Sequence, residues 1–172
     1  MNIEYFISEL GKNGITFFTG EPDSYLNGFN NYLKANVPVE RNVITANEGN
    51  AIALAAGYFF ATANIPAVYM QNSGLGNCVN PLLSLADKHV FSVPMILIIG
   101  WRGEPGTKDG LREQHIMQGR VTEQLLDVME IPYKILSEAT VAEDIATLVA
   151  QAKENSAPVA FLVPNGVLTE KK

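Results

Sequence analysis

The residues of this chain best suited to chemistry fall in four polar, turn-forming segments. They are Thr19-Gly20-Glu21-Pro22-Asp23-Ser24, Asn47-Glu48-Gly49-Asn50, Gln71-Asn72-Ser73-Gly74-Leu75-Gly76-Asn77, and a longer run from Trp101 to His115. Glu48 is a carboxyl group at the start of a helical pattern, a type suited to holding or moving a proton. Four of the twelve Lys and Arg residues (Arg102, Lys108, Arg112, Arg120) lie within residues 101–120, together with His115, one of the two histidines.

Each signal has a plain structural reading beside it. Asn47 suits a helix cap, with Glu48 in the first turn where a negative charge complements the dipole. The 101–120 cations also suit a solvated loop in which Glu104, Asp109 and Glu113 pair with them. Gly74-Leu75-Gly76 lacks the third glycine and the downstream acidic residue of a dinucleotide fingerprint. Cys78 has no neighbouring cation or base and reads as packing; Met70 and the pair Phe59-Phe60 read as core, and His89 as a residue at a helix end. No His, Cys, Asp and Glu cluster has metal-ligand spacing, so no metal site is expected on this chain.

Short apolar, β-rich runs precede these segments and recur beyond them: Ile15-Thr19, Asn42-Thr45, Pro66-Gln71, Pro94-Gly100, Tyr133-Leu136 and Pro158-Val163. Between them lie helical patterns at Ile3 to Lys12, Ser24 to Leu33, Asn47 to Thr62, Gly76 to Asp87, Met117 to Met129 and Val141 to Lys153. Met95-Ile96-Leu97-Ile98-Ile99 and Ala160-Phe161-Leu162-Val163 are continuously apolar rather than alternating, as in strands covered on both faces. This alternation predicts an α/β fold with an open, mostly parallel six-stranded sheet and helices on both faces. All residues, 1–172, are assigned to one domain. In a parallel sheet the carboxyl ends of the strands share an edge, so the four polar segments can converge on one crevice. Strand starts near 15, 42, 66, 94, 133 and 158 leave one interval, of 39 residues, too long for an ordinary unit. The excess is the Trp101–His115 run, which reads as a lid with Gly103, Gly106 and Gly110 as hinges.

Composition narrows the function classes. Twelve Lys and Arg against eighteen Asp and Glu give a net charge of -6, too acidic for neutralising a nucleic-acid backbone. One cysteine forms no intramolecular disulfide, and the Met1-Asn2-Ile3-Glu4 start lacks a signal-peptide pattern, so a cytoplasmic setting is expected. From Gly49 to Ala86 there is not one charged side chain, yet Gly57, Pro66 and the Gln71–Gly74 polar run divide the stretch, so it is not a membrane span. A charge-free stretch of this length is expected to meet another protein surface as well as the core, which points to an oligomer.

Taken in order, four segments resemble the phosphonopyruvate decarboxylases, thiamine-diphosphate enzymes related to sulfopyruvate decarboxylase. They are Phe17-Phe18-Thr19-Gly20-Glu21-Pro22-Asp23-Ser24-Tyr25-Leu26, Ala46-Asn47-Glu48-Gly49-Asn50-Ala51-Ile52-Ala53-Leu54-Ala55-Ala56-Gly57, Gln71 to Asn77 with Asn80-Pro81-Leu82, and Gly100-Trp101-Arg102-Gly103-Glu104-Pro105-Gly106. The resemblance runs over nearly the whole chain but covers only the pyrimidine-binding (PYR) half of such enzymes. The Gly-Asp-Gly and downstream Asn of the diphosphate-binding (PP) half, which hold Mg²⁺ and the cofactor's diphosphate, have no counterpart here. The resemblance therefore implies a PP-domain partner carrying that motif, in a hetero-oligomer or as the other half of a divided enzyme. The lid departs from the family's Lys-Asp-Glu-Pro-Gln-His: here it is Lys108-Asp109-Gly110-Leu111-Arg112-Glu113-Gln114-His115, two residues longer and without the proline.

The resemblance also implies roles. Glu48 would be the cofactor-activating glutamate, hydrogen-bonded to the pyrimidine N1′ and raised in pKa by an apolar crevice. Gly20, Pro22, Gln71, Asn72, Ser73 and Asn77 would contact the cofactor or the partner's side of the site. Asp23 and Ser24 would lie near the reacting carbon, and Arg102, Lys108 and Arg112 would bind the substrate's two anionic groups. His115 would protonate the product carbanion. The activity implied is conversion of phosphonopyruvate to phosphonoacetaldehyde and CO₂. Its alternatives are the sulfopyruvate decarboxylase alpha subunit, and a non-catalytic α/β ligand-binding or regulatory module that kept the scaffold alone.

Overall fold

The computed structural model describes residues 1–169. Six strands form one all-parallel sheet: β1 (Phe18–Gly20), β2 (Asn42–Ile44), β3 (Ala67–Gln71), β4 (Ile96–Gly100), β5 (Tyr133–Ile135) and β6 (Val159–Val163), in the order β2-β1-β3-β4-β6-β5. Six helices alternate with them: α1 (Ile3–Lys12), α2 (Asn27–Asn36), α3 (Glu48–Thr62), α4 (Leu75–Pro81), α5 (Glu113–Val128) and α6 (Val141–Asn155).

Strand residues of opposite parity feed two separate cores. Ala67 and Tyr69 of β3, Ile96 and Ile98 of β4 and Phe161 of β6 pack under α1, α2 and α6, against Phe6, Phe29 and Ile145 among others. Val68, Met70, Leu97, Ile99 and Leu162 face the other way, under α3, α4 and α5. Both faces are thus dry, which is why these strands read as unbroken apolar runs. The small residues Ala51, Ala55 and Ala56 let α3 lie close on the sheet. Asn47 caps this helix, its side chain accepting from the Asn50 backbone N–H at 2.9 Å.

The elements differ from the sequence expectations in several places: α2 runs from Asn27 to Asn36 rather than from Ser24 to Leu33, and α4 ends at Pro81 rather than Asp87. The strands are shorter than the apolar runs that mark them; Pro66 and Pro94 lack the N–H that a longer ladder needs. α5 starts at Glu113 rather than Met117, so Gln114 and His115 belong to its first turn instead of the lid. Phe60 is not core: it is 55% exposed and packs edge-on against Phe91, also on the surface.

The order of the strands decides where a site can form. From β1 the chain crosses to β2 on one side, while β3 lies on the other. The loops after β1 and β3 therefore run apart, leaving a crevice at the carboxyl edge of the sheet.

Candidate functional site

An open cleft of roughly 300 Å³ occupies this switch point, lined by Glu21, Pro22, Asp23, Ser24, Glu48, Gln71, Ser73 and Arg102. The four polar segments, far apart in the sequence, each contribute to it. Glu48 enters at the first turn of α3 and is half-buried. Its Oε2 accepts from Asn77 Nδ2 at 2.8 Å. Its other side lies against Gly74, where a Cβ would stand 2.4–2.5 Å from the Glu48 Cγ, Cδ and Oε1. Gly74 is thus the floor of the Glu48 carboxylate. The apolar crevice expected around Glu48 is not built by these residues, because the cleft wall is polar and open on one side.

Across the cleft, Arg102 follows β4. Its backbone is held by Asn72, whose Nδ2 donates to the Arg102 carbonyl at 2.8 Å while its Oδ1 accepts from the Arg102 N–H at 3.2 Å. Asn72 Nδ2 also donates to Thr122 Oγ1 at 2.8 Å. Asn72 is 4% exposed, so its polar atoms are spent inside the fold and it does not line the cleft as expected of a cofactor contact. The Arg102 guanidinium stacks over the Tyr25 ring, 4.6 Å from its centroid, donates to Ser24 Oγ and approaches Asp23 Oδ1 at 3.9 Å. Gln71 Nε2 donates to Ser73 Oγ at 2.6 Å beside them.

Asp23 is the strained group of this wall. It is 7% exposed, and its Oδ2, turned toward Gly100, has no hydrogen-bond partner. Burial lifts its carboxyl above the usual carboxylate range, and the nearby Tyr25 and Ser24 backbone N–H groups and Arg102 only partly offset this.

The remaining expected residues lie outside the cleft. Gly20 ends β1, where a Cβ would stand 2.0 Å from the Tyr69 carbonyl oxygen; its reason is strand packing. Lys108 and Arg112 are exposed and do not line the cleft, and the Arg112 Nε lies 3.6 Å from Asp109 Oδ1. His115 is 5% exposed and sits behind Arg102, Nε2 to Nη1 3.5 Å, rather than on the cleft wall.

The lid is a folded loop anchored on α5. A Cβ on Gly119 would stand 1.6 Å from the Gly103 carbonyl oxygen, one on Gly103 2.2 Å from the His115 carbonyl oxygen, and one on Gly110 2.3 Å from the Glu104 carbonyl oxygen. Gly103 and Gly110 are therefore close-approach positions, and the hinge role expected of them is replaced by packing. Gly106 alone of the three faces open space. Residue types placed Glu21 and Asp109 in the polar segments without assigning them a role in the site, and did not disclose Tyr25. Tyr25 adjoins the expected Ser24, and Asp109 was legible only as a solvated partner of the loop cations. Cys78 is buried, its thiol pushed up to about 12 by burial and then by Glu48, as suits a packing residue.

A crevice at the β1/β3 switch point, with a capped glutamate on one side and an anchored arginine on the other, defines a chain built to hold a ligand between strand ends. Residues 3–131 match the family described as thiamine pyrophosphate enzyme, N-terminal TPP binding domain, and the chain belongs to that family. Within it, the chain is 35% identical over 162 residues to a phosphonopyruvate decarboxylase of Streptomyces viridochromogenes, covering 92% of this chain and 39% of that protein. It is 34% identical over 120 residues to a sulfopyruvate decarboxylase subunit alpha of Methanococcus maripaludis, covering 70% of this chain and 68% of that subunit. Among solved structures, the benzoylformate decarboxylase of Polynucleobacter necessarius superposes with a TM-score of 0.71 at 20% identity, over 99% of this chain and 32% of that one, a likeness of fold. The chain thus spans less than half the length of the phosphonopyruvate decarboxylases it matches, 68% and 73% of two of the alpha subunits and 50% of a third. Among the described residues, no helix is long and apolar enough to cross a membrane.

Proposed function

We propose that this chain is the pyrimidine-binding half of a thiamine-diphosphate-dependent decarboxylase that converts phosphonopyruvate to phosphonoacetaldehyde and CO₂. The observation that carries this reading is Glu48, held by Asn77 and bedded on Gly74, opening into the same cleft as Arg102. The space kept clear at Gly74 fits a carboxylate that must present one oxygen to a ring nitrogen. When bound, the cofactor supplies the nucleophilic carbon and the electron sink. The protein's part is orientation and charge. Glu48 holds a proton between its carboxylate and the pyrimidine N1′, Asn77 occupying Oε2. Arg102 would pair with an anionic group of the substrate, and Ser24 and Asp23, on the same cleft wall, would be beside the reacting carbon.

The second half of the site belongs to a partner bearing the diphosphate- and Mg²⁺-binding motif. Support comes from the outer face of α3 and α4, where Asn50, Ala53, Leu54, Gly57, Phe60 and Asn80 are exposed without one charge. Leu54 and Phe60 are 37% and 55% exposed on it. A partner seated there would cover the open side of the cleft and supply the desolvation of Glu48 that this chain does not.

Sulfopyruvate is the second reading, favoured by the larger share of the alpha subunits that the chain covers. The test is to co-purify the chain with a candidate PP-domain partner and measure CO₂ release from both acids with Mg²⁺ and thiamine diphosphate. Activity is expected only from the assembled pair, with Glu48→Gln abolishing turnover while cofactor binding is roughly kept. Near-normal turnover in Glu48→Gln removes the role assigned to Glu48. A pair that binds neither cofactor nor keto acid leaves the non-catalytic module.

A further inference from the structure

Behind Arg102 lies a buried network that the proposed reaction has not used. Asp109 Oδ2 accepts from the Gly103 backbone N–H at 2.6 Å, and its Oδ1 lies 3.0 Å from His115 Nδ1. The side chains of Asp109 and His115 are 11% and 6% exposed. The Tyr25 hydroxyl interacts with the same carboxylate. Burial works to raise Asp109, but Tyr25, the Gly103 N–H and His115 outweigh it and hold the carboxyl below its usual range, so it is an anion with acceptors only. The Tyr25 hydroxyl is pushed up to about 12, by burial first and then by Asp109, and stays a donor.

These partners dictate where the proton on His115 sits. Nδ1 faces a carboxylate and must carry it. Nε2 faces two donors, the Gln114 Nε2 amide at 3.1 Å and Arg102 Nη1 at 3.5 Å, and a guanidinium has no acceptor, so Nε2 presents its lone pair to both. The same Arg102 rests on the Tyr25 ring. Two supports of the guanidinium, the imidazole behind it and the phenol beneath it, therefore end on one carboxylate.

We propose that Asp109 and His115 are positioning residues for Arg102: Asp109 holds His115 in the Nδ1–H tautomer, and the bare Nε2 aims the guanidinium at the cleft, where it takes the anionic end of the substrate. The inference rests on the decarboxylase reading only for the identity of that anion. It also explains why position 109 carries a carboxylate. An amide has one acceptor oxygen. In Asp109→Asn the fixed Gly103 N–H claims that oxygen, the NH₂ turns to His115, and the imidazole must become the Nε2–H tautomer, donor against donor with Arg102.

The first test is long-range ¹H–¹⁵N correlation of the histidine rings in the full chain at about pH 8, above the ordinary histidine range. The exposed His89 serves as the internal reference for a solvated ring. His115 is expected as Nδ1–H in the wild type and as Nε2–H in Asp109→Asn; Nε2–H in the wild type, or no change in the variant, overturns the proposal. The second test is steady-state kinetics of the assembled enzyme with phosphonopyruvate. Asp109→Asn and His115→Ala should raise KM by about 10-fold or more with kcat nearly kept, on the scale of one charged hydrogen bond. His115→Gln, whose oxygen can accept from Arg102 while its NH₂ faces Asp109, should recover most of the KM lost in His115→Ala. A collapse of kcat in His115→Gln with KM unchanged would make His115 the proton donor and sink the positioning role. If the wild-type pair releases no CO₂, the decarboxylase reading falls, and the tautomer measurement decides the role of Asp109 by itself.

Discussion

Replacing Gly74 by alanine separates the needs of the site from the needs of the fold. The Gly74 backbone is right-handed helical, φ -69° and ψ -17°, a conformation alanine prefers by roughly 0.5–1 kcal/mol. The three atoms nearest the added methyl all belong to one flexible side chain, Glu48 Cγ, Cδ and Oε1 at 2.4–2.5 Å. Ordinary contact requires a retreat of about 1 Å, which the Glu48 rotamers can supply by giving up the Asn77 hydrogen bond, worth about 1 kcal/mol. The two effects nearly cancel, so Tm should stay within about 4 °C of wild type, the span of roughly 1 kcal/mol for a chain of this size. Function should not be spared. A misplacement of about 1 Å at a positioned group costs on the order of 100-fold in rate. The assay pairs a thermal melt with CO₂ release by the assembled enzyme at saturating cofactor. Wild-type turnover in Gly74→Ala would refute the role of Gly74 as the bed of the Glu48 carboxylate. A Tm loss well beyond the stated span would show that Gly74 serves the fold instead.

Two further perturbations test the walls of the cleft. Asp23 has a folded-state pKa raised by burial, so its ionised form weighs against folding, fully so above that raised value and not at all below the ordinary carboxylate range near pH 4. Asp23→Asn should therefore raise Tm at neutral pH, with the gain fading as the pH falls toward 4; melts across that range check it, and a gain independent of pH refutes it. Gly119→Ala drives a Cβ into the Gly103 carbonyl, a backbone atom that cannot swing aside. It should cost about 1–3 kcal/mol, or several degrees of Tm, and raise KM through Arg102; an unchanged melt would mean the loop does not rest on α5.

Much of the architecture could be read in one dimension. The unbroken apolar runs at Met95–Ile99 and Ala160–Val163 announced strands covered on both faces, because a residue with no solvent-facing neighbour needs no polar alternation. The Asn47-Glu48 pair announced a helix start facing the strand ends, and α3 begins there with the cap in place. The first turn of α5 was hidden, because Glu113, Gln114 and His115 show no apolar period. In the fold that turn packs on the polar network around Asp109 instead of on the core.

Residue type and spacing alone determined the order of elements and the edge of the sheet that would carry the site, with Glu48 and a group of cations as candidates to open into it. Tertiary structure alone decided which polar residues face the cleft and which turn inward. Asn72 clamps Arg102 across 30 positions and Arg102 reaches Ser24 across 78. Lys108 and Arg112, equal to Arg102 in charge, stay exposed outside the cleft, Arg112 paired with Asp109. A pattern along the chain reports whether a position is wet or dry through its local period; which partner a side chain meets depends on strand order and on close backbone contacts, such as that of Gly119 on Gly103, that no local period records.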